Sequence, residues 1–162
     1  MQPLLFGSQI IKPVLEQLNC YSRPALSLLV TTAVMESGIN ILPDKPKNDR
    51  FGIYQISSDM HQAAWDKELV HHPDAASLVR GLASQHNFLK SPDSELVGNL
   101  PYATAITWFY YCLGQNKALC FLSSQQAATL WNVKFHNGDA SSQLPRFADH
   151  FEQFLLQKDL AA

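Results

Sequence analysis

The chain has 162 residues, 46% of them hydrophobic, with a formal net charge of −2 and an isoelectric point near 6.3. This length and apolar content suit one compact domain, so we expect a single domain over residues 1–162. Lysine and arginine are scattered and form no basic stripe for a nucleic-acid backbone. We therefore expect no nucleic-acid partner.

The first part of the chain predicts two helices. Apolar residues at helical spacing predict a helix over residues 8–18, with Ser8 as its cap. Ser22, followed by Pro24, is a typical helix opening, and the uncharged run of residues 25–35 continues it.

Glu36 ends that uncharged run. Gly38 is typical of the left-handed residue that closes a helix, which puts Glu36 in the last helical turn. Burial and the negative end of the helix dipole both disfavour an ionised carboxylate, so we expect Glu36 to favour its protonated form. Such an acid can protonate the leaving oxygen of a glycosidic bond. The alternative is a boundary glutamate, half exposed at a helix end.

The middle of the chain begins with a polar, proline-containing segment, residues 41–50, which predicts an irregular loop above the site. The β-prone residues 52–56 follow it. Ser57 or Ser58 then caps a predicted helix to Leu69, and Pro73 opens another that reaches about residue 89.

The second half contains the most apolar predicted helix, residues 93–113, which should be the central core helix. We expect Pro101 to kink it and Gly114 to stop it. Two further helices are predicted over residues 125–131 and 144–156. The fold class is therefore all-α, or α+β at most through a vestigial hairpin near residues 50–56.

Two short motifs resemble the lysozyme-like superfamily, in particular its soluble lytic transglycosylase and goose-type lysozyme branch. They are Glu36-Ser37-Gly38 and Gly52-Ile53-Tyr54-Gln55-Ile56. The resemblance implies a lysozyme-like helical domain around a central apolar helix, with Glu36 as the catalytic acid. It also implies a group of substrate-binding residues, Ser37, Gly52, Tyr54, Gln55 and Ile56.

A third motif, Phe135-His136-Asn137-Gly138, is similar to the family's Tyr-Asn-x-Gly turn, which faces the glutamate. It adds His136 and Asn137 as substrate-binding candidates. Here His136 replaces the family tyrosine, and glycine follows Asn137 without a spacer. An imidazole differs from a phenol in reach and can itself ionise.

The chain also resembles small phage-encoded, virion-associated transglycosylase-like proteins, through residues 10–15 and 96–105 and through His61 and Trp65. The latter two would share a helix face, either as a structural pair or as a cleft wall. Two secondary site candidates are Tyr102, placed in the substrate-binding set, and Asn99.

The resemblance implies a peptidoglycan lytic transglycosylase that cleaves the β-1,4 bond between N-acetylmuramic acid and N-acetylglucosamine, with one glutamate as acid and then base. A hydrolase would need a second carboxylate. Asp44, Asp49 and Asp59 are the nearby acids, and none lies in a matching motif. The alternatives are a muramidase, a chitin or chitosan hydrolase, and a catalytically weak virion structural or glycan-binding module.

We expect no cofactor and no metal. Cys20, Cys112 and Cys120 contain no C-x-x-C pair, and the adjacent His71 and His72 point in different directions on a helix. Buried thiols are expected, with a disulfide between Cys112 and Cys120 as the alternative.

The first residues lack a basic region followed by a long apolar core, so we expect no signal peptide. No run reaches transmembrane length, so no membrane partner is expected. The expected partners are the peptidoglycan glycan strand and other virion proteins. The expected location is the phage virion, or the host cytoplasm before release by a route other than Sec.

Overall fold

Helices form most of the computed structural model, which describes residues 1–40, 49–115 and 119–158. The α-helices are α1 (Pro3–Phe6), α2 (Lys12–Gln17), α3 (Arg23–Ser37), α4 (Ser58–Ala63), α5 (Pro73–Leu82), α6 (Gln85–Lys90), α7 (Ser94–Gly98), α8 (Leu100–Cys112), α9 (Ser124–His136) and α10 (Leu144–Leu156). Short π-helical turns lie at Gly7–Ile11 and Ala64–Glu68, and 3-10 turns lie at Leu69–His71, Leu119–Phe121 and Ser141–Gln143. The predicted mostly helical class is confirmed. No helix among these described ranges has both the length and the apolar character needed to cross a bilayer.

The first helical stretch begins five residues earlier than predicted, and the assignment of Ser8 as its cap is wrong. Pro3 is pre-organised for the first helical turn, and Phe6 is anchored in the core. The turn at Gly7–Ile11 widens to a π-helical bond, in which the Lys12 amide donates to the Gly7 carbonyl. Pro13 follows directly, and the wider turn accommodates a residue that has no amide proton and would crowd a regular α-turn.

Helix α3 has the predicted start and end. Ser22 accepts a hydrogen bond from the Ala25 amide at 3.1 Å, and Pro24 lies in the first turn. Gly38 has φ +65°, in the left-handed region, and ends the helix. Glu36 therefore lies in the last turn, as the sequence predicts.

A two-stranded antiparallel hairpin follows, with β1 at Arg50–Phe51 and β2 at Ile56–Ser57. In its register Arg50 pairs with Ser57 and Phe51 with Ile56. This is the hairpin expected near residues 50–56.

The helices between residues 58 and 90 are shorter than predicted. Ser57 caps α4 by accepting from the Met60 amide at 3.2 Å, but the chain leaves α-helical geometry after Ala63. Helix α5 ends at Leu82, where side chains replace the helical hydrogen bonds. Asn99 Nδ2 donates to the Leu82 carbonyl at 2.7 Å, and the Ser84 amide donates to the Glu95 carboxylate.

The predicted single helix over residues 93–113 is two helices, and Pro101 does not kink it. Asn99 leaves helical geometry at φ −117° and ψ 89°, and its Oδ1 accepts from the Tyr102 amide at 3.1 Å. Asn99 is thus the cap of α8, and Pro101 occupies the first turn, where a missing amide proton has no cost.

The core lies around α8, whose residues 102–109 are all buried. Helix α8 contacts α2, α3, α4, α5 and α7. Helix α10, which has the predicted bounds, packs against both α3 and α9. This packing brings the carboxyl ends of α3 and α9 together, and these two ends carry Glu36 and His136.

Candidate active site

Glu36 meets two aromatic side chains at the surface end of α3. Its Oε1 accepts a hydrogen bond from Trp131 Nε1 at 2.8 Å and lies 2.8 Å from His136 Nε2. The Glu36 side chain is 7% exposed, whereas that of His136 is 32% exposed. The carboxylate is therefore nearly buried, and its histidine partner connects it to solvent.

Packing from α10 fixes the two aromatic partners. Phe147 stacks on Trp131 with ring centroids 4.8 Å apart and planes at 21°. The His136 ring meets the Trp131 indole edge to face at 4.7 Å and 67°. The indole thus lies between a core phenylalanine and the site histidine, which restricts the direction of its N–H.

A left-handed turn after α9 orients His136. Asn137 has φ 50°, and the Gly138 amide donates to the Asn132 carbonyl at 3.1 Å. The buried Asn132 side chain also accepts from the Ala140 amide at 2.7 Å and donates to the Gly138 carbonyl at 3.3 Å. Asn137 itself is exposed and serves as the helix cap. The structure gives it a backbone role, and its side chain remains available at the surface.

Ser37 links the two main motifs of the sequence in space. Its Oγ is 2.7 Å from the Ile53 carbonyl and 3.1 Å from the Ala33 carbonyl, and its single proton is shared between these two acceptors, with the Ile53 carbonyl the nearer. Ser37 is thus committed to backbone contacts. Its contribution to the site is the position of the loop between β1 and β2.

That loop depends on Gly52 and Gln55. Gly52 has φ +69°, and a Cβ at this position would lie 1.9 Å from the Leu96 carbonyl oxygen. Gln55 also has a positive φ, 53°, and its Nε2 donates to the Gly52 carbonyl at 2.8 Å. The glutamine amide group predicted to bind substrate therefore also closes the loop in this structure.

Three predicted substrate-binding residues lie in the core. Tyr54, Ile56 and Tyr102 each have 0% exposure, so their side chains offer no surface to a ligand in this structure. Tyr54 shares a hydrogen bond of 3.0 Å with Thr104, and burial raises the pKa of its phenol. The packing of the hairpin and of α8 turns these three side chains inward, away from the surface.

His61 and Trp65 share one hydrogen-bonding partner. Both side chains contact the Tyr102 hydroxyl, His61 Nε2 at 2.7 Å and Trp65 Nε1 at 2.9 Å, and His61 Nδ1 lies 2.8 Å from Asp93 Oδ1. Burial raises the pKa of Tyr102, whose hydroxyl therefore keeps its proton in this network. Asn99 is the other secondary candidate. Its Oδ1 caps α8, and its Nδ2 donates to Glu95 Oε2 at 2.8 Å.

Two of the three candidate second carboxylates, Asp49 and Asp59, are exposed, and neither forms a hydrogen bond with Glu36. Asp44 lies outside the described residues. Within the described part of the chain, no three histidine, cysteine, aspartate or glutamate side chains are arranged to hold a metal ion. The three cysteines are free and partly exposed, so a disulfide between Cys112 and Cys120 is not formed.

Trp131 contacts Glu36 although no motif of the sequence includes it, and Arg50 borders the site in a role that the sequence does not indicate. Trp131 is 95 residues from Glu36, and the helical pattern around it predicts only core packing. Arg50 donates to the Phe135 carbonyl at 2.6 Å and to the Gln55 carbonyl at 3.4 Å, so it ties the hairpin to the end of α9. As a cation close to Glu36 in the sequence, Arg50 is a candidate to pair with that carboxylate. In the structure its guanidinium donates to backbone oxygens.

Comparison of the chain with protein-family models, with curated proteins and with solved structures finds no match.

Proposed function

We propose that the protein is a peptidoglycan lytic transglycosylase in which Glu36 is the catalytic acid. The observation that carries the proposal is the environment of the Glu36 carboxyl group. This group lies at a helix end and is 7% exposed. Both of its hydrogen-bonding partners contact Oε1, and Oε2 has no partner among the described residues. An acid that must protonate a substrate needs one such oxygen.

The proposed reaction uses that carboxyl group twice. Glu36 gives its proton to the glycosidic oxygen as the bond from C1 of N-acetylmuramic acid to this oxygen breaks. The muramyl C6 hydroxyl then bonds to C1, and its proton returns to the Glu36 carboxylate. The products are a new sugar hydroxyl and a 1,6-anhydro ring, and no water is consumed.

The sequence favours transglycosylation over hydrolysis, because none of the nearby acids lies in a motif that matches a second catalytic position. A retaining hydrolase needs a second carboxylate about 5 Å from the acid, and an inverting enzyme needs one about 6.5 to 9.5 Å away. The polar partners of Glu36 in the described ranges are Trp131 and His136, and neither of them is a carboxylate. A muramidase of the same lysozyme-like fold is the alternative, with Asp44, Asp49 or Asp59 as its base.

A second candidate function has an observation of its own. The contact between Glu36 and His136 becomes an ion pair when the imidazole is protonated, which would give Glu36 a structural task. A virion structural or glycan-binding module could retain the glutamate for that reason. The resemblance to phage-encoded proteins supports a virion location for either function.

Digestion of purified peptidoglycan tests the proposal. Wild type, Glu36→Gln and the exposed control Glu152→Gln are compared, and the soluble products are identified by mass spectrometry. Anhydro-muropeptides from wild type and the control, but not from Glu36→Gln, are expected. Products one water heavier would mean hydrolysis. Tight binding of glycan without products from any variant would favour the glycan-binding module.

A further inference from the structure

The two oxygens of Glu36 are held differently. Trp131 can only donate from its indole nitrogen, so Oε1 is an acceptor in that contact. His136 Nε2 meets the same oxygen at 2.8 Å, whereas Oε2 forms no hydrogen bond within the described residues. The role of His136 in this contact depends on which of its nitrogens carries a proton.

We propose that His136 is a positioning residue that donates from Nε2–H to Glu36 Oε1, so that the acid proton of Glu36 resides on Oε2. Oε1 is then the acceptor of two N–H donors, and Oε2 is the oxygen that gives a proton and takes one back. The catalytic role of Oε2 rests on the proposed function. The placement of the protons on His136 Nε2 and Glu36 Oε2 does not.

The opposite tautomer would disable the acid. If neutral His136 carried its proton on Nδ1, Nε2 could only accept, and Glu36 would have to donate to it from Oε1. The proton would then lie between two protein side chains and would be withheld from a substrate. With the proton on Nε2, Nδ1 is the nitrogen that is left for solvent, and His136 is the partner with a third of its side chain exposed.

The pair lies where two helices end. Glu36 is in the last turn of α3, and His136 is the last residue of α9. Donation from Nε2 to Oε1 is possible for neutral and for protonated His136. The hydrogen bond from Nε2 to Oε1 is therefore kept when His136 changes charge, and only the charge next to Glu36 differs.

The other ionisable groups around the pair have partners of their own. From the hairpin, Arg50 donates to the Phe135 carbonyl, and from α9, Lys134 donates to the Leu113 carbonyl. From α8, the buried Tyr111 hydroxyl pairs with Thr32, and Tyr110 donates to the Lys134 carbonyl.

The charged groups of α10 and of the turn after α9 are at the surface. Asp139, Arg146 and Asp149 are at least partly exposed. His150 is partly buried and stacks on Phe154. Among the described residues, His136 is therefore the ionisable partner in direct contact with Glu36.

The tautomer can be read without any assay of activity. Nitrogen-15 NMR of His136 is recorded from about pH 5 to pH 8, the range in which histidines change charge, in wild type and in Glu36→Gln. We expect a proton on Nε2 throughout, a Trp131 indole proton shifted by the carboxylate, and a changed His136 titration curve in Glu36→Gln. A proton on Nδ1 in the neutral form, or a His136 titration curve that Glu36→Gln leaves unchanged, would overturn the inference.

Variants of His136 test the catalytic consequence. His136→Gln keeps an N–H donor that cannot ionise, so we expect kcat within about tenfold of wild type and loss of one limb of the pH profile. His136→Phe lacks the donor and should lose about a hundredfold, comparable to the loss of one preorganised donor elsewhere. His150→Gln is the matched control, and it should keep both rate and profile.

The outcomes separate the two claims. If wild type releases no muropeptides while the NMR data show Nε2–H on Oε1, the transglycosylase proposal fails and the proton arrangement stands. If wild type is active and His136→Phe matches it in rate and pH profile, the function stands and the positioning role of His136 is wrong. Thermal unfolding of each variant separates these results from loss of the fold.

Discussion

Ser37 donates a hydrogen bond to the carbonyl of Ile53 at 2.7 Å, and this bond joins the helix end that carries Glu36 to the loop between the two strands. The loop is in turn pressed against α7 at Gly52. Arg50 fastens the same hairpin to the end of α9, which carries His136. The hairpin, although short, therefore connects both helix ends of the candidate site.

Replacing Ser37 by alanine should loosen this connection. The hydrogen bond donated by its hydroxyl is lost, so we expect the free energy of unfolding to fall by about 1 kcal/mol. Any glycan-cleaving activity should fall more than stability suggests, by roughly tenfold, because small displacements of an acid are costly. Urea unfolding and digestion rates measure the two effects. Ser27→Ala is the matched control, since its buried hydroxyl has no partner in the described structure, and it should lose no stability.

Gly52→Ala should be strongly destabilising. The added Cβ would overlap the Leu96 carbonyl, and alanine at a φ of +69° is strained in addition. We expect a loss of more than about 2 kcal/mol by thermal or urea unfolding. Gly81→Ala is the control, because no atom lies within 4 Å of the place that its new methyl group would take, and α5 favours alanine over glycine. Equal stability of the two variants would contradict the close approach of the loop to α7.

Tyr102→Phe should destabilise the fold without altering the surface. The change leaves His61 Nε2 and Trp65 Nε1 without their common partner in a buried place. We expect a loss of about 2 to 4 kcal/mol, since a buried imidazole nitrogen and a partly buried indole N–H become unsatisfied. Tyr21→Phe, which removes a hydroxyl without a hydrogen bond in the described ranges, is the comparison. A loss below about 0.5 kcal/mol for Tyr102→Phe would show that the network contributes little.

Alkaline pH should unfold the protein earlier than its composition suggests. Burial raises the pKa of Tyr54, Tyr102 and Tyr111 above their ordinary value of 10.0. Above that pH the unfolded chain loses these protons while the folded chain keeps them. The unfolded state then binds fewer protons, and stability falls as pH rises, by up to about 1.4 kcal/mol per pH unit for each tyrosine.

Thermal unfolding between about pH 8 and pH 11 measures this effect, and it starts slightly lower because burial also raises the pKa of the Cys112 thiol from 9.0. Tyr54→Phe should flatten the decline, although its starting stability is lower because the contact with Thr104 is lost. An unchanged slope would mean that Tyr54 ionises in the folded state. Recovery of the fold after return to about pH 8 controls for chemical damage.

Features with local causes could be predicted from the sequence. The cap at Ser22, the left-handed Gly38, the last-turn position of Glu36 and the bounds of α10 each depend on residues within a few positions. The break at Asn99 was missed because an apolar run favours one long helix. The side chain that begins α8 also ends α5, which is a contact between distant segments.

The contacts of the candidate site could be predicted only in part. The resemblance pointed to Glu36 and His136, which the structure brings within hydrogen-bond distance. It did not point to Trp131, because the indole reaches Glu36 only through the packing of α10 on α3 and α9. It also assigned Tyr54 to substrate binding, whereas the short hairpin turns that ring into the core.

Phe147 on α10 affects the site through Trp131. Its ring lies against the face of Trp131, and it sets the direction of the indole that holds one carboxylate oxygen of Glu36. Substitutions on α10 can therefore turn the indole N–H away from Glu36 while every site residue is kept. A search for faster or slower variants should include this buried helix face, which an inspection of the surface around Glu36 would pass over.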